Sequence, residues 1–205
     1  RLSKQNSHDR ITMKKHWTLI IAAALMLGFT ACENDKEKDL PNTFQIGKTT
    51  YKLGAALCYT SAEAEPGLTS YDLYITDKVR WNSNGNWFDS EESDLANSIE
   101  INIYKLFVQN GSTTQIPDGK YIYSASRENM THTGRSDYFL YKADGSGYVD
   151  DYINFGQNDV AASKLVIEVK HINSNIYEIK ITGGVDEYGN SVNGYYKGAI
   201  SVYED

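Results

Sequence analysis

Long stretches of this chain alternate apolar and polar residues with period two. That pattern commits a chain to strands with one buried face. Ser98-Ile99-Glu100-Ile101-Asn102-Ile103 places three isoleucines on one side, and Tyr71-Asp72-Leu73-Tyr74-Ile75-Thr76 places Tyr71, Leu73 and Ile75 together. After Ile103 the phase slips, because Leu106 and Val108 are even-numbered. A bulge near Tyr104-Lys105 would absorb the extra residue. Helical periodicity is almost absent. Ser61-Ala62-Glu63-Ala64-Glu65 stops at Pro66 after barely a turn, and Ser90 to Asn97 has room for one or two turns.

Turn residues divide the rest. Phe44-Gln45-Ile46 and Tyr51-Lys52-Leu53 flank Gly47-Lys48-Thr49-Thr50 as a hairpin. Pro117-Asp118-Gly119 precedes the strand Lys120 to Tyr123. Proline presets φ there and glycine accepts a positive φ. Asp144-Gly145-Ser146-Gly147 turns between Tyr138–Tyr141 and Tyr148–Phe155. Lys164 to Lys170 and Ile176 to Thr182 form the clearest hairpin, linked through Asn173-Ser174-Asn175. A closing strand runs from Tyr195 to Tyr203. The expectation is an all-β domain, an antiparallel sandwich of about nine strands, over residues 43–205. The alternative is a lipocalin-like up-and-down β-barrel. Uneven loops favour the sandwich, being long near 60–70, 77–97 and 124–137.

The N-terminal part carries an address. Met13 is followed by Lys14 and Lys15, then an apolar run from Trp17 to Phe29, then Thr30-Ala31-Cys32. Spanning a bilayer takes about 20 apolar residues, so this run is too short for a membrane helix and suits a signal peptide. The arrangement resembles a bacterial lipoprotein signal, although Phe29 stands where Leu is commonest. The resemblance implies cleavage before Cys32 and lipid attachment to its sulfur. Residues 1–12 read as an upstream extension, 13–31 as the signal, and 32–42, charged and ending near Pro41, as a solvated tether. An acidic stretch after the lipidated cysteine resembles the tethers of Bacteroidetes surface lipoproteins. That implies outer-membrane anchoring at the cell surface, with the periplasmic leaflet as the alternative. The C-terminal stretch from Tyr177 through Asp186-Glu187-Tyr188-Gly189-Asn190 to Gly198 also resembles the closing hairpin of small lipoproteins of that group, whose function is unassigned.

Net charge is −7, and five of the 20 basic residues precede Cys32. An acidic surface disfavours nucleic acid and anionic lipid as partners. It is compatible with neutral glycans, cations or basic protein partners. With Cys32 acylated, Cys58 is the one remaining thiol, and its apolar run Ala55-Ala56-Leu57-Cys58-Tyr59 reads as core.

Catalytic chemistry finds little footing. The sequence has no G-x-S-x-G, H-E-x-x-H or phosphate-binding loop. His132 and His171 read as exposed surface residues, too few for a zinc site. Asp150 and Asp151 fall on opposite faces of a strand. The acidic groups Asp89, Glu91, Glu92 and Asp94, and Asp186, Glu187 and Asn190, read as solvated loops. Calcium is the alternative occupant, without EF-hand spacing. No catalytic residue, metal site or cofactor is therefore expected, and the chain is read as a non-enzyme.

The aromatic residues point further. Trp81-Asn82-Ser83-Asn84-Gly85-Asn86-Trp87-Phe88 gathers both tryptophans beyond Cys32 among amide and hydroxyl side chains. Rings offer flat apolar faces and Asn offers donors and acceptors, a mixture suited to sugars. Trp81, Asn84, Asn86 and Trp87 are the candidate ligand-binding residues of a surface module for a glycan or other polymer. The competing expectation is a structural or protein-docking component of the envelope, with both tryptophans buried.

Overall fold

Alternation becomes strands wherever one face can be buried, and the computed structural model has twelve among the residues it describes. It describes residues 40–87, 98–143, 148–156 and 159–205. The strands are β1 (Thr43–Ile46), β2 (Thr49–Lys52), β3 (Ala55–Ala62), β4 (Leu68–Thr76), β5 (Ser98–Gln109), β6 (Gly119–Tyr123), β7 (Thr131–His132), β8 (Ser136–Ala143), β9 (Tyr148–Phe155), β10 (Val166–Asn173), β11 (Ile176–Val185) and β12 (Ser191–Glu204). One helical turn, α1 (Asp159–Ala162), precedes β10. Residues 40–205 form one compact unit. The signal and lipid-attachment assignments, Cys32 included, lie outside the described residues, as do the expected turns at 90–97 and 144–147 and the acidic group Asp89 to Asp94.

All-β is the observed class, but the expected sandwich is not what forms. Eight strands close into a barrel in the order β12-β11-β10-β6-β7-β5-β4-β3 and back to β12. Closure depends on β12, which is 14 residues long. Its residues 191–199 pair antiparallel with β11, and residues 200–204 pair parallel with β3, Val202 facing Cys58. A sandwich would leave those edges open, and closing the sheet removes them. The barrel is not strictly up-and-down, since β3–β12 and β6–β7 are parallel. The hairpin β1–β2 extends from the N-terminal half of β12, and the hairpin β8–β9 from the N-terminal half of β5.

The phase slip in β5 is a bulge. Tyr71 faces Leu106 and Leu73 faces Ile103, so Tyr104 and Lys105 together oppose Asp72. Lys105 takes φ +57°, and its N–H donates to the Asp72 carboxylate at 2.8 Å. Inward phase therefore passes from Ile99, Ile101 and Ile103 to Leu106 and Val108, all buried.

The interior is filled by side chains, as an eight-stranded barrel of this kind allows. Tyr71, Tyr121, Ile101, Leu73 and Ile179 are fully buried there with Cys58, the inert core cysteine the sequence implied. Burial in this apolar setting pushes the Cys58 thiol well above its ordinary range. The buried phenols keep hydrogen-bond partners. Tyr71 donates to the Ser112 carbonyl at 2.6 Å and Tyr121 to the Pro117 carbonyl at 2.8 Å.

β3 is a strand, yet its sequence does not alternate, because both of its faces are covered. Ala56 and Cys58 face the core, while Ala55 and Leu57 pack under Trp81. His132 is fully buried, not exposed. Its Nδ1 accepts from the Gly134 N–H at 3.0 Å and its Nε2 meets the Leu165 carbonyl at 2.9 Å, which fixes the neutral tautomer with the proton on Nε2. His171 is half-buried, its ring tilted at 44° against Tyr177 with centroids 4.8 Å apart.

Burial lowers the pKa of His132, and the bond to Leu165 offsets this only in part. The unfolded chain takes up that proton near pH 6.5, roughly the ordinary histidine value, and the folded protein only at lower pH. Stability is therefore lost as pH falls through the window below about 6.5. His132→Gln should cost about 1–3 kcal/mol at pH 8 by removing buried hydrogen bonds. In thermal melts its stability should also fall less than the wild type's between pH 7.5 and 5.5. Equal slopes for the two proteins would contradict this assignment.

Candidate functional site

The loop that begins at Trp81 is built by its asparagines. Asn82 Oδ1 accepts the N–H groups of Asn84 at 2.8 Å and Asn86 at 3.2 Å. The Asn82 N–H donates to the Asn86 carbonyl at 2.9 Å, and the Gly85 N–H to the Asn82 carbonyl at 3.0 Å. Asn side chains mimic a backbone turn in this way. The result is a small hairpin in which Trp81 and Trp87 face each other across a β-bridge.

The hairpin folds back onto the outer wall of the barrel. Outward tyrosines of four strands build the surface there, three of them against the hairpin and the fourth, Tyr104, against Tyr74. These are Tyr59 of β3, Tyr74 of β4, Tyr104 of β5 and Tyr203 of β12. Tyr59 donates its hydroxyl to the Gly85 carbonyl at 2.5 Å, and Tyr203 donates to the Ser83 carbonyl at 3.3 Å. Gly85 sits at φ +84°, and a Cβ there would come within 2.9 Å of the Tyr203 ring. Only glycine meets both conditions without strain.

Edge-to-face contacts join the rings into a ledge. Trp81 and Trp87 lie 5.5 Å apart at 70°, Trp87 and Tyr74 also 5.5 Å at 70°, and Tyr74 and Tyr104 6.1 Å at 88°. Tyr59 reaches Tyr74 at 5.7 Å and Tyr203 at 6.1 Å. Such pairs contribute about 0.5–1.5 kcal/mol each beyond the area they bury. Burial pushes up the pKa of both Tyr59 and Tyr74, so these phenols are neutral donors and acceptors across ordinary pH.

A buried charge pair anchors the base of the loop. Arg80, 5% exposed, donates through Nη2 to Asp77 at 2.9 Å and lies 3.5 Å from Glu100 through Nη1. Its guanidinium also stacks 4.6 Å from the Tyr141 ring centroid, and Tyr141 donates to Glu100 at 3.1 Å. Burial raises the pKa of Glu100, while Arg80 and the Tyr141 hydrogen bond pull it back. Beside this pair, Asn102 Nδ2 donates to Asp137 at 3.0 Å and to Tyr104 Oη at 3.1 Å.

The four sequence-selected residues separate into two roles. Trp81 is 7% exposed and is the lid of a small outer core with Ala55 and Leu57. Trp87 is 36% exposed and forms the rim of the ledge. Asn84 and Asn86 are both exposed, and among the described residues their side-chain amides have no hydrogen-bond partner. Phe88 lies outside the described residues. The tyrosines of the ledge were not singled out by sequence, although parity marks Tyr74 and Tyr104 as outward on strands whose inward residues are odd-numbered.

The second acidic group is a structural hub. Asp186 is buried and accepts from the N–H groups of Tyr188 at 3.0 Å and Asn190 at 2.7 Å, from Asn190 Nδ2 at 2.9 Å, and from the Tyr138 hydroxyl at 2.9 Å. It pins the β11–β12 turn to β8. Among the described residues no group of three or more His, Cys, Asp or Glu is placed to hold a metal ion. Among them also no helix is long and apolar enough to cross a membrane. Comparison with protein-family models, with curated proteins and with solved structures gives no match.

Gly85→Ala should therefore loosen the hairpin. A cost of about 1–3 kcal/mol is expected from the strained φ and the close approach to Tyr203. Intrinsic tryptophan emission should shift to the red as Trp81 gains water. Unchanged emission and stability would show that the hairpin does not rest on Tyr203.

Proposed function

We propose that this chain is a lipid-anchored envelope protein whose barrel presents the Trp87 ledge to a glycan or other polymeric ligand. The observation that carries the proposal is one arrangement on the outer wall. A half-exposed indole stands over a layer of tyrosines, flanked by two exposed amides, Asn84 and Asn86. Sugars present apolar C–H faces and a ring of hydroxyls, and this surface offers a partner to each. Exposed aromatic rings held rigid by neighbours lose little entropy on binding.

The barrel serves here as a support rather than a lipocalin-type container, since its interior is occupied by buried side chains. In this reading Cys32 carries the lipid, residues 32–42 are the tether, and the outer membrane is the location, with surface display preferred to the periplasmic leaflet. The binding needs no cofactor and involves no chemical step. A purely structural role through edge pairing has less support. Two strands pair with a single neighbour among the described residues: β2, which spans four residues and carries Lys52, and β9, which spans eight and carries Asp150 and Asp151. Charged residues on such edges resist pairing with other chains.

Thermal-shift and isothermal titration against a panel of soluble polysaccharides tests the proposal. At least one should bind saturably to the wild type. Trp87→Ala should weaken it about tenfold or more, with a melting temperature lower by only a few degrees, because the ring sits at the rim. Binding that survives Trp87→Ala unchanged, or a panel with no binder, would overturn the proposal.

A further inference from the structure

A second feature lies on the same outer wall, a few residues further along β5. The bulge that turns Tyr104 toward the ledge also turns Lys105 outward, into a cleft of about 310 Å³. Phe107, Arg127, Thr133 and Arg135 line it with Lys105, and Glu63 forms one wall. That volume is at the lower end for small-ligand sites. Thr133 Oγ1 donates to the Tyr104 carbonyl at 3.5 Å, so cleft and ledge share a boundary.

The charges in the cleft are unequally committed. Lys105 Nζ donates to Glu63 at 2.9 Å and to Ser70 Oγ at 3.2 Å, with Asp72 at 3.9 Å. Burial opposes ionisation of Glu63, but hydrogen bonds from Ser70 and Lys105 and the charges of Lys105 and Arg127 outweigh it, so its carboxyl stays below the ordinary range. Lys105 is thus neutralised by Glu63. Arg127 is different. It is 51% exposed, its two carboxylate neighbours Glu63 and Glu65 are both 3.8 Å away, and it lies 5.8 Å from the centroid of the Phe107 ring. Arg135 is exposed and, among the described residues, has no ion-pair partner. On a chain of net charge −7, this cleft gathers three cations, and two guanidinium groups keep donors in reserve.

We infer that the cleft binds an acidic group, carboxylate or sulfate, carried by a glycan that lies along the ledge. Guanidinium forks match both oxyanions, and charge-assisted bonds are roughly twice as strong as neutral ones. The overall negative charge repels polyanions elsewhere, so recognition is confined to this cleft. The inference rests on the ledge being a glycan surface and adds the ligand class.

The test is titration calorimetry of the wild type, Arg127→Gln, Arg135→Gln and Trp87→Ala. The probes are a galacturonate tetramer, its neutral methyl ester, and a chondroitin tetrasaccharide with and without sulfate. The wild type should bind at least one acidic probe about tenfold or more tightly than the methyl ester. Tighter binding of the sulfated than of the unsulfated chondroitin tetrasaccharide names sulfate, and equal binding of the two names carboxylate. Either arginine variant should lower the ratio of acidic-probe to methyl-ester affinity about tenfold, to near one, at a melting temperature within a few degrees of the wild type's. Equal wild-type affinity for acidic and neutral probes, or a preference that survives both arginine variants, would overturn the inference. In that case the ledge reading still stands if Trp87→Ala loses both kinds of probe. A preference lost in the arginine variants but untouched by Trp87→Ala would keep the acidic-group site and overturn the ledge. No binding of any probe would overturn both.

Discussion

The pairing of one long strand with two partners governs this molecule. β12 hydrogen-bonds antiparallel to β11 along 191–199 and parallel to β3 along 200–204. With that second pairing the sheet has no free edge in the ring, and its inward residues enclose a filled core. Without it, the β12-facing backbone groups of β3 and those of residues 200–204 would lie unpaired beside an apolar interior. Buried backbone polar groups left without partners are costly, so closure and core formation stand together.

The same closure makes the candidate site. It brings Tyr59 on β3 beside Tyr203 on β12, residues far apart in the chain, and these two hydroxyls hold the Gly85 and Ser83 carbonyls of the tryptophan hairpin. Tyr74 and Tyr104 arrive from the neighbouring strands. The loop alone has the asparagine bonds to form its turn, but its position depends on rings supplied by three strands, β3, β4 and β12. The β5 bulge then does two things at once. It keeps Leu106 and Val108 in the core, and it delivers adjacent residues, Tyr104 and Lys105, to the ledge and to the cationic cleft.

What the sequence disclosed follows from what is local. The inward faces of β4, β5, β10 and β11 were legible from period two, and the bulge from a single slip in phase. The buried character of Cys58 was legible too. β3 was not, because alternation vanishes when both faces are covered, and its outer cover, Trp81, comes from a separate loop. β7 is two residues long and leaves no periodic trace. The burial of His132 depends on Leu165, 33 residues away, which nothing near His132 announces. Sandwich and barrel share strand patterns and differ only in the non-local β3–β12 seam. At the site, Trp87, Asn84 and Asn86 were legible by composition as rings beside amides, whereas the role of Trp81 as a lid and the tyrosine layer required the fold.

Native-state hydrogen exchange of the amides in 56–60 and 200–204 tests the central claim most directly. If the β3–β12 seam holds the barrel together, these amides exchange only through global unfolding, as slowly as those of the β4–β5 pair around Ile101. Exchange of the seam about a hundredfold faster, with β4–β5 still protected, would mean that the barrel opens there while the core survives. The aromatic ledge would then need another support.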